Sequence, residues 1–150
     1  MKVLFLNAPY SGKVELCQET VDYLKEKNYS TVGLYASVQF VGKLDQVKEQ
    51  LKENNITVIT SKADRTNTEG QLLGCDVYRN SLNLKEEIDA FLYIGDGKFH
   101  PLALVYRQKE DFKEVICNDP IQGKMFLLGI EDIKRILTKY RSTLMKFLSA

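Results

Sequence analysis

The sequence predicts an α/β fold, a three-layer, Rossmann-like arrangement in which a mostly parallel sheet is flanked by helices. Three observations carry that expectation. Short runs that are apolar at nearly every position alternate with segments of helical periodicity, the pattern of βαβ units. Those runs lack the apolar/polar alternation of a sheet with one wet face, as expected of strands covered on both sides. A long amphipathic stripe with three- and four-residue spacing closes the sequence. At 150 residues the chain lies near the commonest domain size, so a single α/β domain over 1–150 is expected.

The elements follow in order. KVLFLNA, Lys2 to Ala8, reads as a first strand and ends at the turn-forming APYSG. From Lys13 onward Val14, Cys17, Val21 and Leu24 form one apolar face of a helix that ends near Asn28. TVGLYAS, Thr31 to Ser37, is the next strand; VQFVG leads from it into a helix carrying Leu44, Val47 and Leu51 on one side. ITVIT, Ile56 to Thr60, is a short β-branched strand. Ser61 to Ser81 is polar and without period, and a loop of that length in a compact fold is more often functional than idle. AFLYIG, Ala90 to Gly95, restores the strand pattern; FHPLALVYRQ gives a short helix and EVICNDP, Glu114 to Pro120, a further strand. The closing helix sets Ile130, Ile133, Ile136, Leu137, Tyr140, Leu144 and Phe147 along one face.

Ligands in such folds gather beyond the carboxyl ends of the strands. The loops APYSGK, SVQFVGK, SKADRTNTEGQLLGC, GDGKFHP and CNDPIQGK should therefore line one edge, and any chemistry belongs there.

Composition narrows the partners. A net charge of +1, from 21 basic and 20 acidic residues of interspersed sign, argues against nucleic acid, whose backbone requires a clustered basic face. No apolar run approaches the roughly 18 residues of a membrane helix. The N-terminal apolar run is too brief for a secretory signal. A cytoplasmic location is expected, with the three cysteines reduced and free for packing, reactivity or metal.

GDGKFHP places Gly95 and Gly97 between a strand and a helix, the beginning of a phosphate-binding turn. The third glycine of the dinucleotide fingerprint is replaced by His100, and Asp96 would repel a phosphate, so a tight strand-to-helix turn explains the glycines equally well. His100, the single histidine, suits an acid, base or ligand role, or a ring bonded to a backbone carbonyl. Lys13 sits in a loop but lacks P-loop spacing. Cys17 falls on the apolar face of the first helix and Cys117 in a buried strand, both positions of packing. Cys75 differs: it ends GQLLGC, a glycine-bracketed stretch in the long loop. One cysteine cannot hold an iron–sulfur cluster or structural zinc, and as a nucleophile it would need a base or a helix N-terminus beside it.

In order along the chain, ASVQFVGKLDQVKEQLKENNITVI, ADRTNTEGQLLGCDV, DAFLYIGDGKFHPLAL and NDP resemble the middle domain of the diphthamide-synthesis radical enzyme family, 2-(3-amino-3-carboxypropyl)histidine synthase. The resemblance covers nearly the whole chain. It implies three similar α/β domains around a cavity, each giving one cysteine to a 4Fe-4S cluster whose remaining iron binds S-adenosylmethionine. It implies transfer of a 3-amino-3-carboxypropyl radical to a histidine of translation elongation factor. By position Cys75 matches the middle domain's metal ligand. Gly70, Gln71 and Gly74 would shape the ligand loop, and Gly95, Asp96, Gly97, Lys98 and His100 would line the adjacent cofactor cleft. Cys17 and Cys117 match other parts of that domain, so the cysteines of the remaining two have no counterpart here. A cluster then requires other chains: a partner carrying the missing domains, or a homo-oligomer giving one Cys75 per copy around a threefold axis. The alternative is a non-catalytic stand-alone relative, acting as a small-ligand-binding or interaction module.

Overall fold

The structure is a computed structural model and describes residues 8–150. The strand expected at Lys2–Ala8 lies, but for its last residue, outside them. The described residues form strands β1 Thr31–Ala36, β2 Thr57–Ile59, β3 Ala90–Ile94, β4 Val115–Asp119 and β5 Lys124–Leu128. Four α-helices accompany them: α1 Gln18–Glu26, α2 Asp45–Glu53, α3 Pro101–Tyr106 and α4 Ile130–Ser149. The sheet order is β2-β1-β3-β4-β5. The first four of those strands run parallel and β5 antiparallel to β4.

The strands are apolar throughout because both faces are covered. Val32, Leu34 and Ala36 of β1, Leu92 and Ile94 of β3, and Ile116 of β4 point toward Val21 and Leu24 of α1 and Val47 and Leu51 of α2. Tyr35, Phe91, Tyr93, Val115 and Cys117 point the other way, toward Leu104 of α3 and Ile133 and Leu137 of α4. Each fully buried Leu or Ile contributes about 1.5–3 kcal/mol over an exposed one, so this alternation fixes the register on both sides. β2 is a short edge strand whose Thr57 is exposed, which limits its use as a template for pairing.

Three expectations need correction. The first helix begins at Gln18, not near Lys13. Val14 and Leu16 are buried in extended chain, where Leu16 exchanges two hydrogen bonds with the Gln50 side chain. Cys17 is the N-cap, not part of a helical face: its N–H donates to Asn118 Oδ1 at 2.9 Å, which holds it extended. The spacing still looked helical because buried extended residues and the first helical turn face the same core. The second correction is β5, which reasoning from the sequence passes over because MFLLG runs directly into the pattern of α4. PIQG is the hairpin turn, made by Asp119 Oδ1 accepting the N–H groups of Ile121 and Gln122 and by Gly123 at φ 63°. The third concerns α4. Ile133 and Leu137 are buried and Tyr140 stacks on Tyr106 with ring centres 5.2 Å apart. Beyond them Leu144 and Phe147 are 41% and 78% exposed, because the helix outruns the sheet that covers its apolar face.

Glu114, just before β4, receives hydrogen bonds from the hydroxyls of Tyr23 (2.7 Å) and Tyr29 (2.8 Å). Burial, then the bond to this carboxylate, pushes both phenols well above their ordinary value. The unfolded chain releases these protons near pH 10 while the folded chain keeps them. Stability is therefore full below that pH and falls as pH rises toward the raised folded values. Tyr35 and Tyr93, raised first by burial, act in the same direction. Urea unfolding between about pH 9 and 11 should show the decline, and Tyr23→Phe with Tyr29→Phe should make it shallower without removing it. A decline of unchanged steepness in the double variant would refute this account.

Candidate functional site

The expected gathering of loops beyond the strands' carboxyl ends is observed. Ser37 N–H donates to Ile94 O and Gly95 N–H to Asn118 O, so the ends of β1, β3 and β4 are stitched together. Asp96 Oδ1 accepts from Gln39 Nε2 at 2.9 Å, tying GDGK to SVQF. Asp96 thus has a bracing partner of its own.

GQLLGC hangs from β1. Ala36 N–H donates to Gly70 O at 2.8 Å and Leu72 N–H to Ala36 O at 2.9 Å, so Gln71 forms a parallel bridge with Ala36. Gly70 is buried at φ 78°, where an added Cβ would lie 3.7 Å from Leu34 O. Glycine is required there by the left-handed backbone rather than by lack of room. Leu72 is wholly buried and anchors the stretch. The chain then turns: Asp76 N–H donates to Leu73 O at 3.0 Å, and Asp76 Oδ2 accepts from Leu73 N–H at 2.9 Å. Gly74 and Cys75 occupy the tip of this doubly closed turn, with Asp76 fully buried and Cys75 exposed.

The two glycine motifs meet at Gly74. A Cβ there would fall 2.1 Å from Cε1 of Phe99, so the ring of GDGKFH lies directly against the backbone beside Cys75. Phe99 is itself 69% exposed, placing it at the surface of the same patch. His100 caps α3 and its ring packs edge-on against Phe99 at 5.4 Å; no hydrogen bond joins it to Cys75 among the described residues. Lys98 reaches away, its Nζ 5.7 Å from the centre of the Phe126 ring on β5. Gly97 stands at φ 70° in open space, and Gly95 lies close under the Tyr93 hydroxyl, 2.5 Å from where a Cβ would be.

Several residues of the site are not singled out by sequence reasoning. Arg65 lies beside Cys75: the cysteine side chain, with Tyr78 and Asp76 behind it, raises the guanidinium above its ordinary value. Arg65 also sits 5.7 Å from the centre of the Tyr78 ring. Tyr78 and Asn83 donate to Asp64 at 2.6 and 2.8 Å, and these bonds hold the Asp64 carboxyl below the usual range. The long loop is thus braced across its own width. Ser37 Oγ and the Tyr93 hydroxyl are buried beneath these loops with no hydrogen-bond partner among the described residues. The one local signal was the aspartate after Gly-Cys, a residue type that commonly closes turns.

Of the other cysteines, Cys117 is buried and Cys17 half-buried. Cys117 is buried in the core, and burial pushes its thiol far up. Cys17 Sγ lies 3.3 Å from Thr20 Oγ1. Among the described residues no group of three or more His, Cys, Asp or Glu side chains could hold a metal ion. The donor set therefore fits one ligand to a soft metal group, not a complete site. Among the described residues, too, no helix is long and apolar enough to cross a membrane.

The family model described as "Putative diphthamide synthesis protein" matches residues 1–150. The chain belongs to the diphthamide synthesis family. It is 30% identical over 108 residues to the 2-(3-amino-3-carboxypropyl)histidine synthase of Pyrococcus horikoshii, an alignment covering 71% of this chain and 29% of that protein. It is 34% identical over 80 residues to subunit 1 of the Kluyveromyces lactis synthase, covering 50% of this chain and 18% of the relative. Among solved structures, Dph2 from Pyrococcus horikoshii with a 4Fe-4S cluster superposes with a TM-score of 0.65 at 27% identity, over 87% of this chain and 38% of that one. Members of the family matched here are thus much longer than this chain.

Proposed function

We propose that this chain corresponds to the middle domain of the family's synthase, and that Cys75 is its single ligand to a 4Fe-4S cluster completed by cysteines of other chains. The observation that carries the reading is the contrast among the three thiols. Cys75 is exposed on a closed turn against the second family motif, while Cys17 and Cys117 are occupied or buried. A relative solved with such a cluster, of which this chain spans 38%, supports both the cofactor and the need for more protein. The exposed apolar residues of the second half of α4, Leu144, Met145, Phe147 and Leu148, give a partner a surface to cover.

In this reading Gly70 and Gln71 suspend the ligand loop from β1, Asp76 closes the turn, and Phe99 shields one side of Cys75. Gly95, Gly97 and His100 would border the cleft for S-adenosylmethionine, while Lys98 reaches toward Phe126 instead. When bound, the cluster supplies reductive cleavage of S-adenosylmethionine, delivering a 3-amino-3-carboxypropyl group to a histidine of translation elongation factor. The chain's own part is to present one exposed thiolate on a fixed turn, with Phe99 covering one side of it.

The test is anaerobic reconstitution with iron and sulfide, alone and with a chain carrying the remaining family domains, read by visible absorption and assembly mass. A coloured trimer, or a coloured complex formed only with the partner, is expected. If no combination binds iron, the reading fails; S-adenosylmethionine binding by the bare chain would then favour the ligand-binding module.

A further inference from the structure

A cavity of about 530 Å³ opens at the opposite edge of the sheet, where β3 and β4 begin. Arg79, Arg107, Lys109 and Lys113 face it, against only two carboxylates, Glu110 and Asp111. Lys113 pairs with Asp111 at 3.1 Å; Arg79, Arg107 and Lys109 have no ion pair among the described residues. Leu84 and Phe91 give the cavity an apolar side.

Arg107 is the informative residue. Its guanidinium lies 5.7 Å from the centre of the Phe91 ring. Nη2 donates to the Arg79 carbonyl at 2.5 Å, while Nε is buried with no partner among the described residues. Burial lowers its affinity for the proton, an effect that Tyr35 and Asp76 only partly oppose. Arg107 as a whole is half-buried, and a cation partly withdrawn from water without a contacting carboxylate is costly unless something anionic meets it. The walls are already formed. Gln108, itself buried, donates to Leu104 O at 2.8 Å and to Lys113 O at 3.0 Å and accepts from Lys113 N–H at 2.7 Å, which shapes the segment between Arg107 and Lys113.

We infer that this cavity binds a small organic phosphate, a dianionic phosphate monoester whose apolar part rests on Phe91 and Leu84. The excess of two cations over carboxylates matches a dianion better than a single carboxylate. A planar guanidinium with free donors suits oxyanions, and the volume leaves room for more than the phosphate alone. The site shares Arg79 and Asn80 with the long loop that carries Cys75, but Cys75 and GDGKFH do not line it, and it does not depend on the cluster reading.

Calorimetric titration of the full chain with phenyl phosphate, inorganic phosphate and benzoate tests it. Phenyl phosphate should bind most tightly, and raised salt should weaken it. Arg107→Gln should reduce its affinity about tenfold or more, the size of a lost charged hydrogen bond. Because Arg107 is half-buried, Lys109→Gln serves as an exposed second variant, expected to weaken binding several-fold with an unchanged melting temperature. Cys75→Ser should have no effect. The proposal is overturned if phenyl phosphate binds more weakly than about 10 mM, if it binds no better than benzoate or inorganic phosphate, or if neither cation variant changes its affinity.

Discussion

Cys75→Ser is expected to abolish iron incorporation in the assembled protein, while Cys17→Ser and Cys117→Ala leave it intact. The size of the effect follows from ligand chemistry. A serine hydroxyl is a hard donor that stays protonated near neutrality, whereas iron–sulfur clusters select soft thiolates. In the proposed assembly, losing one thiolate from a set of three would leave a cluster with two protein ligands, below what clusters of this type require. Cys17 already sits against Thr20 at the start of α1, and its exchange costs a weak hydrogen bond. Cys117 is fully buried; alanine is the cleaner substitution there, because a buried serine hydroxyl lacking a partner costs about 1–3 kcal/mol. Iron and sulfide content after anaerobic reconstitution, with melting curves for each variant, decides the matter. Retention of iron by Cys75→Ser, or its loss from a well-folded Cys17→Ser, would reject Cys75 as the ligand.

Gly70→Val should be among the most damaging single changes outside the core. At φ 78° an L-residue costs roughly 1–2 kcal/mol, and β-branching makes the position a genuine outlier. The first added carbon fits, since its nearest neighbours are at 3.7 to 3.9 Å, but the two methyls beyond it would crowd Leu34, Leu44 and Thr60. Overpacking of that kind costs typically 1–3 kcal/mol more. A total near 2–4 kcal/mol is a large part of a domain's stability. Gly70→Ala incurs the backbone cost alone. Gly97, at φ 70° with nothing within 4 Å, provides the control: Gly97→Ala should resemble Gly70→Ala, and Gly97→Val should be milder than Gly70→Val. Urea midpoints for the four variants test this, and equal losses for the two valines would refute the packing part. Because GQLLGC is suspended from Gly70 and Gln71, Gly70→Val should also lower iron loading in the assembled protein.

Much of this was legible in the residues. Both-sided burial leaves its mark on each strand separately, so TVGLYA, AFLYI and VICND could be read without knowing their neighbours. α2 and α4 likewise show their inner faces through spacing alone. β5 was hidden because an antiparallel return of five residues has no period long enough to separate it from the helix that follows. The start of α1 was misplaced because the deciding contact, Asn118 to the Cys17 amide, spans 101 positions. The candidate site divides in the same way. Gly70, Gly74 and Cys75 stand out in a polar loop, and GDGKFH stands out after a strand. Arg65 and Phe99 carry no local signal of their role at the site, since their partners come from folding, and Asp76 carries only that of a turn-forming residue type.

By itself, then, the sequence determined the α/β class, the family resemblance and the one cysteine set apart by its glycines, because propensity, burial pattern and motif spacing are local properties. Only the tertiary structure decided that GQLLGC and GDGKFH touch, through a Phe99 ring lying where a Gly74 side chain would be. The burial of Cys117 was already expected from its strand, whereas the exposure of Cys75 on a closed turn came only with the tertiary structure. Those outcomes depend on parallel strands bringing distant loops to one edge, and chain order carries no measure of that distance.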